Sequence, residues 1–118
     1  MKQTGDISIN EILDMLLMFR NERDWGQFHS PKNLAVSISI EAAELLEHFQ
    51  WLKDGEALDP DKKQDVAREL ADIFNYLVLL SNDLGIDLLG SSKMKIEENR
   101  VKYPVEKSRG TAKKYKEL

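Results

Sequence analysis

The chain has no cysteine, which excludes disulfides, thiolate metal sites and cysteine nucleophiles. Only six glycines and three prolines punctuate its 118 residues, so a few long helices fit better than many short strands joined by turns. Long apolar runs are missing too. The most nearly apolar segment, residues 73–81, falls far short of a membrane span and contains Asn75. The first ten residues, MKQTGDISIN, hold no apolar stretch of the signal-peptide kind. A soluble cytoplasmic protein with no membrane partner is the expectation. Basic charge is scarce outside one region: residues 93–118 carry nine Lys/Arg against four Glu, whereas residues 1–92 carry eight against seventeen acids. An acidic body thus bears a basic C-terminal quarter. That quarter reads as a solvated charge run; it has few interleaved aromatics, so nucleic acid is not expected as a partner.

What is present organises into helices. A chain of this length supports a single modest core. Ser8 with Glu11 forms a capping box, and Ile9, Ile12, Leu13, Leu16 and Leu17 keep helical spacing, predicting a helix over Ile9–Glu22. RDWGQFHSPKN (23–33) reads as a loop until Ser30–Pro31 starts a second helix. AVSISI (35–40) alternates like a strand, but no breaker separates it from the helical run that follows. KDGEALDP (53–60) closes helix two, and Asp59–Pro60 opens a third, which Gly85 stops. A fourth runs from after Asp87 to near Lys102, before Pro104. The expected fold is all-α, a four-helix bundle over residues 1–104 followed by a basic, mobile tail over 105–118.

Two of these helices place carboxylates where apolar side chains belong. SIEAAELLEHFQWL (39–52) carries Glu41 and Glu44, and ARELADIFNYLVLL (67–80) carries Glu69 and Asp72. Residues three apart share a helix face, with Cβ atoms roughly 5–6 Å apart. Carboxylates in apolar surroundings are costly to ionise without a compensating positive charge. A solvent-facing pair, pairing with Arg68 or a lysine, and polar contacts hidden at the interface of an associating bundle are the ordinary explanations. Two such pairs on consecutive helices favour a divalent cation instead. An all-oxygen donor set suits Mg²⁺, with Mn²⁺ as a substitute, over zinc or copper. The Glu-x-x-His of di-iron bundles is missing, since Gly26 and Leu45 stand three residues before His29 and His48. His48, four residues past Glu44, is near enough in sequence to approach the carboxylates. Magnesium held by few carboxylates usually brings in substrate phosphates.

Glu41-x-x-Glu44 followed by Glu69-x-x-Asp72 resembles the ExxE…ExxD signature of MazG-like nucleotide pyrophosphohydrolases. The likeness extends through ERDWGQFHSPKN (22–33), FQW (49–51), DIFNYLVLL (72–80), NRVKYP (99–104) and KKYKEL (113–118), and is closest to the dCTP pyrophosphatase subgroup. It implies an enzyme that hydrolyses a (deoxy)nucleoside triphosphate, dCTP or a modified dCTP first among candidates, to the monophosphate and pyrophosphate with Mg²⁺. Glu41, Glu44, Glu69 and Asp72 would be the metal ligands and catalytic carboxylates. Trp25, Gln27, Phe28, His29, Trp51 and Tyr76 would form the nucleotide pocket, and Lys95, Asn99, Arg109 and Lys113 would meet phosphate oxygens. A homodimer or homotetramer is implied. One departure is Leu16, where animal members of the subgroup have a histidine near the base, so cytosine preference is not carried over from the resemblance.

The residues support this independently of the family. Trp25 lies in a polar loop and Trp51 at a helix end, positions atypical of core tryptophans, and their faces could stack on a base. Tyr76 stands four residues past Asp72 on the same helix face. The basic tail could close over a triphosphate as a lid. The competing readings are a non-catalytic helical module binding nucleic acid or an acidic partner through the tail, and a structural bundle with interfacial salt bridges.

Overall fold

The computed structural model describes residues 5–118; the first four residues, on which the signal-peptide reading partly rests, lie outside them. No strand occurs among the described residues, which fall into two compact units, one ending at Gly85 and the other spanning Ile86–Leu118.

The first unit holds α1 (Ile9–Glu22), α2 (Pro31–Glu47) and α3 (Pro60–Asp83), with a 3-10 turn at Gly26–Phe28 in the loop after α1. Each helix begins on a side-chain cap. Ser8 accepts from the Glu11 amide, Ser30 from Asn33 and Asp59 from Lys62, and proline follows the latter two caps at the first helical position. α3 packs against both α1 and α2. Leu34, Val66, Val78 and Leu79 are the buried apolar side chains. AVSISI is helical, part of α2.

α2 ends earlier than the sequence implied. Its last residue is Glu47, and residues 48–51 continue as turns in which His48, Phe49 and Gln50 donate to carbonyls three residues back. The reason is local: the chain loosens into three-residue bonds before any glycine forces it to, which leaves Trp51 off the helix. Gly85, at φ +67°, terminates α3 as expected; a side chain there would be strained.

The second unit contains α4 (Leu88–Lys102), capped by Asp87 on the Gly90 amide, then a one-turn helix α5 (Val105–Ser108) and a 3-10 turn at Tyr115–Glu117. The tail is therefore not the unstructured segment its lack of apolar period suggested. Pro104 at the cap position starts α5, and Tyr115 meets the end of α4: its ring lies edge-on to Tyr103 at 6.2 Å, with the Lys102 ammonium 5.2 Å from its centre. No single helix among the described residues is long and apolar enough to cross a membrane.

Candidate functional site

α2 and α3 bring three of the four sequence-selected carboxylates together. Glu41, Glu69 and Asp72 each offer an oxygen, and these atoms all lie within 4.8 Å of one another. Glu41 and Glu69 are half-buried, Asp72 exposed. One oxygen of Glu41 and one of Glu69 are fully enclosed without any hydrogen-bond partner. Burial, then contact with the Glu69 and Glu44 carboxyls and the charge of Asp72, push the Glu41 carboxyl up to about 7. Glu44 thus sits beside Glu41 without joining the tight trio. Orphaned carboxylate oxygens and a proton retained near neutrality are what a hard divalent cation relieves, and the donor set, all oxygen, fits one. His48 reaches the same cluster, its Nε2 3.8 Å from the Glu69 carboxylate.

A cavity of about 360 Å³ opens between α1, the loop after it and α3. Trp25, His29, Asp72 and Tyr76 are on its wall, as are Arg20 and Asn75, which sequence reasoning did not select. A signal for Arg20 was available: it follows Ile12 and Leu16 at four-residue steps, hence on one face of α1. Asn75 stood out only as a polar interruption. Trp25 is held by a hydrogen bond that its backbone N–H donates to the Arg20 carbonyl and by the edge of Phe19, centres 5.6 Å apart at 79°. His29, with its Nδ1 enclosed and unpartnered, is kept below the usual histidine range by burial and then by the Arg20 charge, with Asp83 opposing.

The other sequence-selected residues lie elsewhere. Gln27 braces the loop, donating to both the carbonyl and the carboxylate of Asp24, whose φ of +52° marks the turn. Phe28 is exposed, its carbonyl taken by the Asn33 amide. Trp51 is 85 % exposed and does not line the cavity. Lys95, Asn99, Arg109 and Lys113 belong to the second unit and are exposed, with Lys95 3.4 Å from Glu98.

The all-helical fold, with clustered carboxylates beside an aromatic-walled cavity, is matched by comparison with known proteins. The MazG-like family model matches residues 36–118. Bovine (Bos taurus) dCTP pyrophosphatase 1 is 40% identical over 119 residues, covering 98% of this chain and 70% of its own. The human (Homo sapiens) protein of the same name is 36% identical over 115 residues, 94% of this chain and 68% of its own. The crystal structure of a pyrophosphatase from Archaeoglobus fulgidus superposes with a TM-score of 0.71 at 40% identity, covering 88% of this chain and 99% of that one. The chain belongs to the MazG-like family. Its enzymatic class is nucleoside triphosphate pyrophosphohydrolase.

Proposed function

We propose that this enzyme hydrolyses dCTP, or a dCTP modified on the base, to the monophosphate and pyrophosphate, with Mg²⁺ held by Glu41, Glu44, Glu69 and Asp72 and Mn²⁺ able to replace it. The observation that carries this reading is the double membership of Asp72. It belongs to the carboxylate trio and also to the cavity wall. A nucleotide whose base entered the cavity would therefore present its phosphates toward the acid cluster. The choice of cytosine is supported by the name that the mammalian relatives carry, dCTP pyrophosphatase 1.

A divalent cation at the cluster would supply neutralisation of the polyphosphate charge and Lewis acidity toward water. The chain's own residues do the rest. Trp25, rigid against Phe19, offers a face on which the base stacks, and Tyr76 closes the side of the cavity next to Asp72. A glutamate of the cluster orients the attacking water and accepts its proton. Lys95, Asn99, Arg109 and Lys113 are proposed as phosphate contacts on the strength of charge and sequence likeness, with the segment 105–118 acting as a lid. A homodimer or homotetramer is proposed from the apolar side chains left exposed on the helices, Leu46 and Leu70 at 66% and 53% among them. Action inside the cell follows from the substrate class.

The test is pyrophosphate release from the four dNTPs and 5-methyl-dCTP, with Mg²⁺ and with chelator. Preferential, chelator-sensitive release from a cytosine nucleotide is expected. Activity that survives chelation would remove the cation from the reading, and preference for another base would remove dCTP.

A further inference from the structure

Arg20 projects from α1 onto the wall of the aromatic cavity and forks onto Asp83 of α3, Nη1 to Oδ2 at 2.9 Å and Nη2 to Oδ1 at 3.1 Å. Both side chains are largely removed from water, at 13% and 20% exposure. A partly buried ion pair is a poor device for stability, because desolvation offsets much of the attraction. As a helix tie it is also extravagant. A guanidinium has five N–H donors, Asp83 takes two, and Nε has no partner at all. The remaining donors belong to the sole permanent cation that the described residues place on a wall otherwise apolar, aromatic or neutral, apart from Asp72. The charge of Arg20 is also felt at His29 on the same wall, where after burial it helps to lower the imidazole below its ordinary range, with Asp83 opposing. Asn75, also on the wall, adds an amide that can donate and accept.

Resting on the dCTP reading above, we infer that Arg20, aimed by Asp83, is a base-binding residue that donates a hydrogen bond to the O2 carbonyl of cytosine in the cavity, an acceptor that all pyrimidine bases share. O2 is the only carbonyl on that base, and a donor-only guanidinium can accept nothing from it. Asp83 is a positioning residue: it touches no substrate, but its fork fixes the plane of the guanidinium. Asn75 is placed to meet the neighbouring ring edge, where its two-sided amide suits a base that carries both an acceptor nitrogen and an amino group.

The experiment compares kcat/KM for dCTP and 2-thio-dCTP, in which sulfur replaces the accepting oxygen, for wild-type enzyme, Arg20→Met and Asp83→Asn. A hydrogen bond from a charged donor discriminates by roughly tenfold or more, so the wild type should favour dCTP by about that factor. In Arg20→Met the ratio should fall to near one, with the loss confined to dCTP. In Asp83→Asn, which keeps the guanidinium, the ratio should be reduced but above one. A size penalty against sulfur would persist in Arg20→Met and would overturn the inference, as would a wild type that does not discriminate. If Arg20→Met fails to fold, Arg20→Gln with the same pair of substrates decides it. A wild type that hydrolyses other dNTPs but neither cytosine nucleotide would end the dCTP reading itself, and this inference with it.

Discussion

Glu41 on α2 and Glu69 on α3 face each other with one enclosed, unbonded oxygen apiece, and their ligand atoms lie within 4.8 Å. Two carboxylates do not settle at that distance in a low-dielectric setting unless a proton or a cation sits between them. Burial and the neighbouring carboxyls accordingly push the Glu41 carboxyl up to about 7. Glu41→Gln and Asp72→Asn are therefore expected to lower kcat at least a hundredfold while helical circular dichroism is unchanged. Near-normal turnover in either variant would release that residue from the cluster's chemistry.

The same pair sets a pH dependence. Glu41 binds its proton more tightly in the folded chain, near 7, than at its ordinary value of 4.5. Its contribution to stability is then fully present below pH 4.5 and is lost as pH rises through about 7. In chelator, the melting temperature should fall between pH 5 and pH 8. Saturating Mg²⁺ or the Glu41→Gln change should flatten that slope. A slope that Glu41→Gln leaves intact belongs to other groups.

The two tryptophans should part company. Trp25 is braced by Phe19 on the cavity wall, so Trp25→Ala should raise KM by roughly five- to a hundredfold, the range of a lost base stack. Trp51 is 85 % exposed, and Trp51→Ala should move urea-melt stability by less than about 0.5 kcal/mol. Its effect on KM tests whether it reaches substrate at all. Equal KM effects from both changes would mean that the cavity alone does not bind the base.

Helix ends offer a check on the fold. Asp59→Ala removes the acceptor for the Lys62 amide at the start of α3, and a loss of about 1 kcal/mol is expected in urea denaturation. Gly85→Ala forces a side chain into φ +67° and should lose about 1–2 kcal/mol. Variants as stable as wild type would mean that α3 is held by packing alone.

Deleting residues 105–118, which meet the end of α4 through Tyr115 against Tyr103 and Lys102, should raise KM more than it lowers the melting temperature if the segment is a lid. A collapse in melting temperature with unchanged KM would make it a structural strap.

The starts of α1 to α4 were plain in the sequence because each is a local event. Ser8, Ser30, Asp59 and Asp87 all cap within three residues, and cap chemistry needs no knowledge of the rest of the chain. The end of α2 was not plain, since the turns at His48–Gln50 use ordinary helix-forming residues and carry no breaker. Spacing could pair Glu41 with Glu44 and Glu69 with Asp72, but which three oxygens converge depends on how α2 and α3 cross. Arg20 and Asp83 stand 63 residues apart, and no local rule joins them. The short helix α5 was hidden for a related reason: Pro104 marks a start as well as a stop.

The division of labour between α1 and α3 has an evolutionary corollary. α3 carries Glu69 and Asp72 as well as Asn75 and Tyr76, so substitutions there disturb the acid cluster and the cavity at once. α1 contributes Ile12, Leu16, Phe19 and Arg20 to the same cavity and none of the clustered acids. On the proposed function, drift along one face of α1 would retune which nucleotide is admitted while the acid cluster stays untouched, and that helix is where paralogues of altered appetite should first diverge.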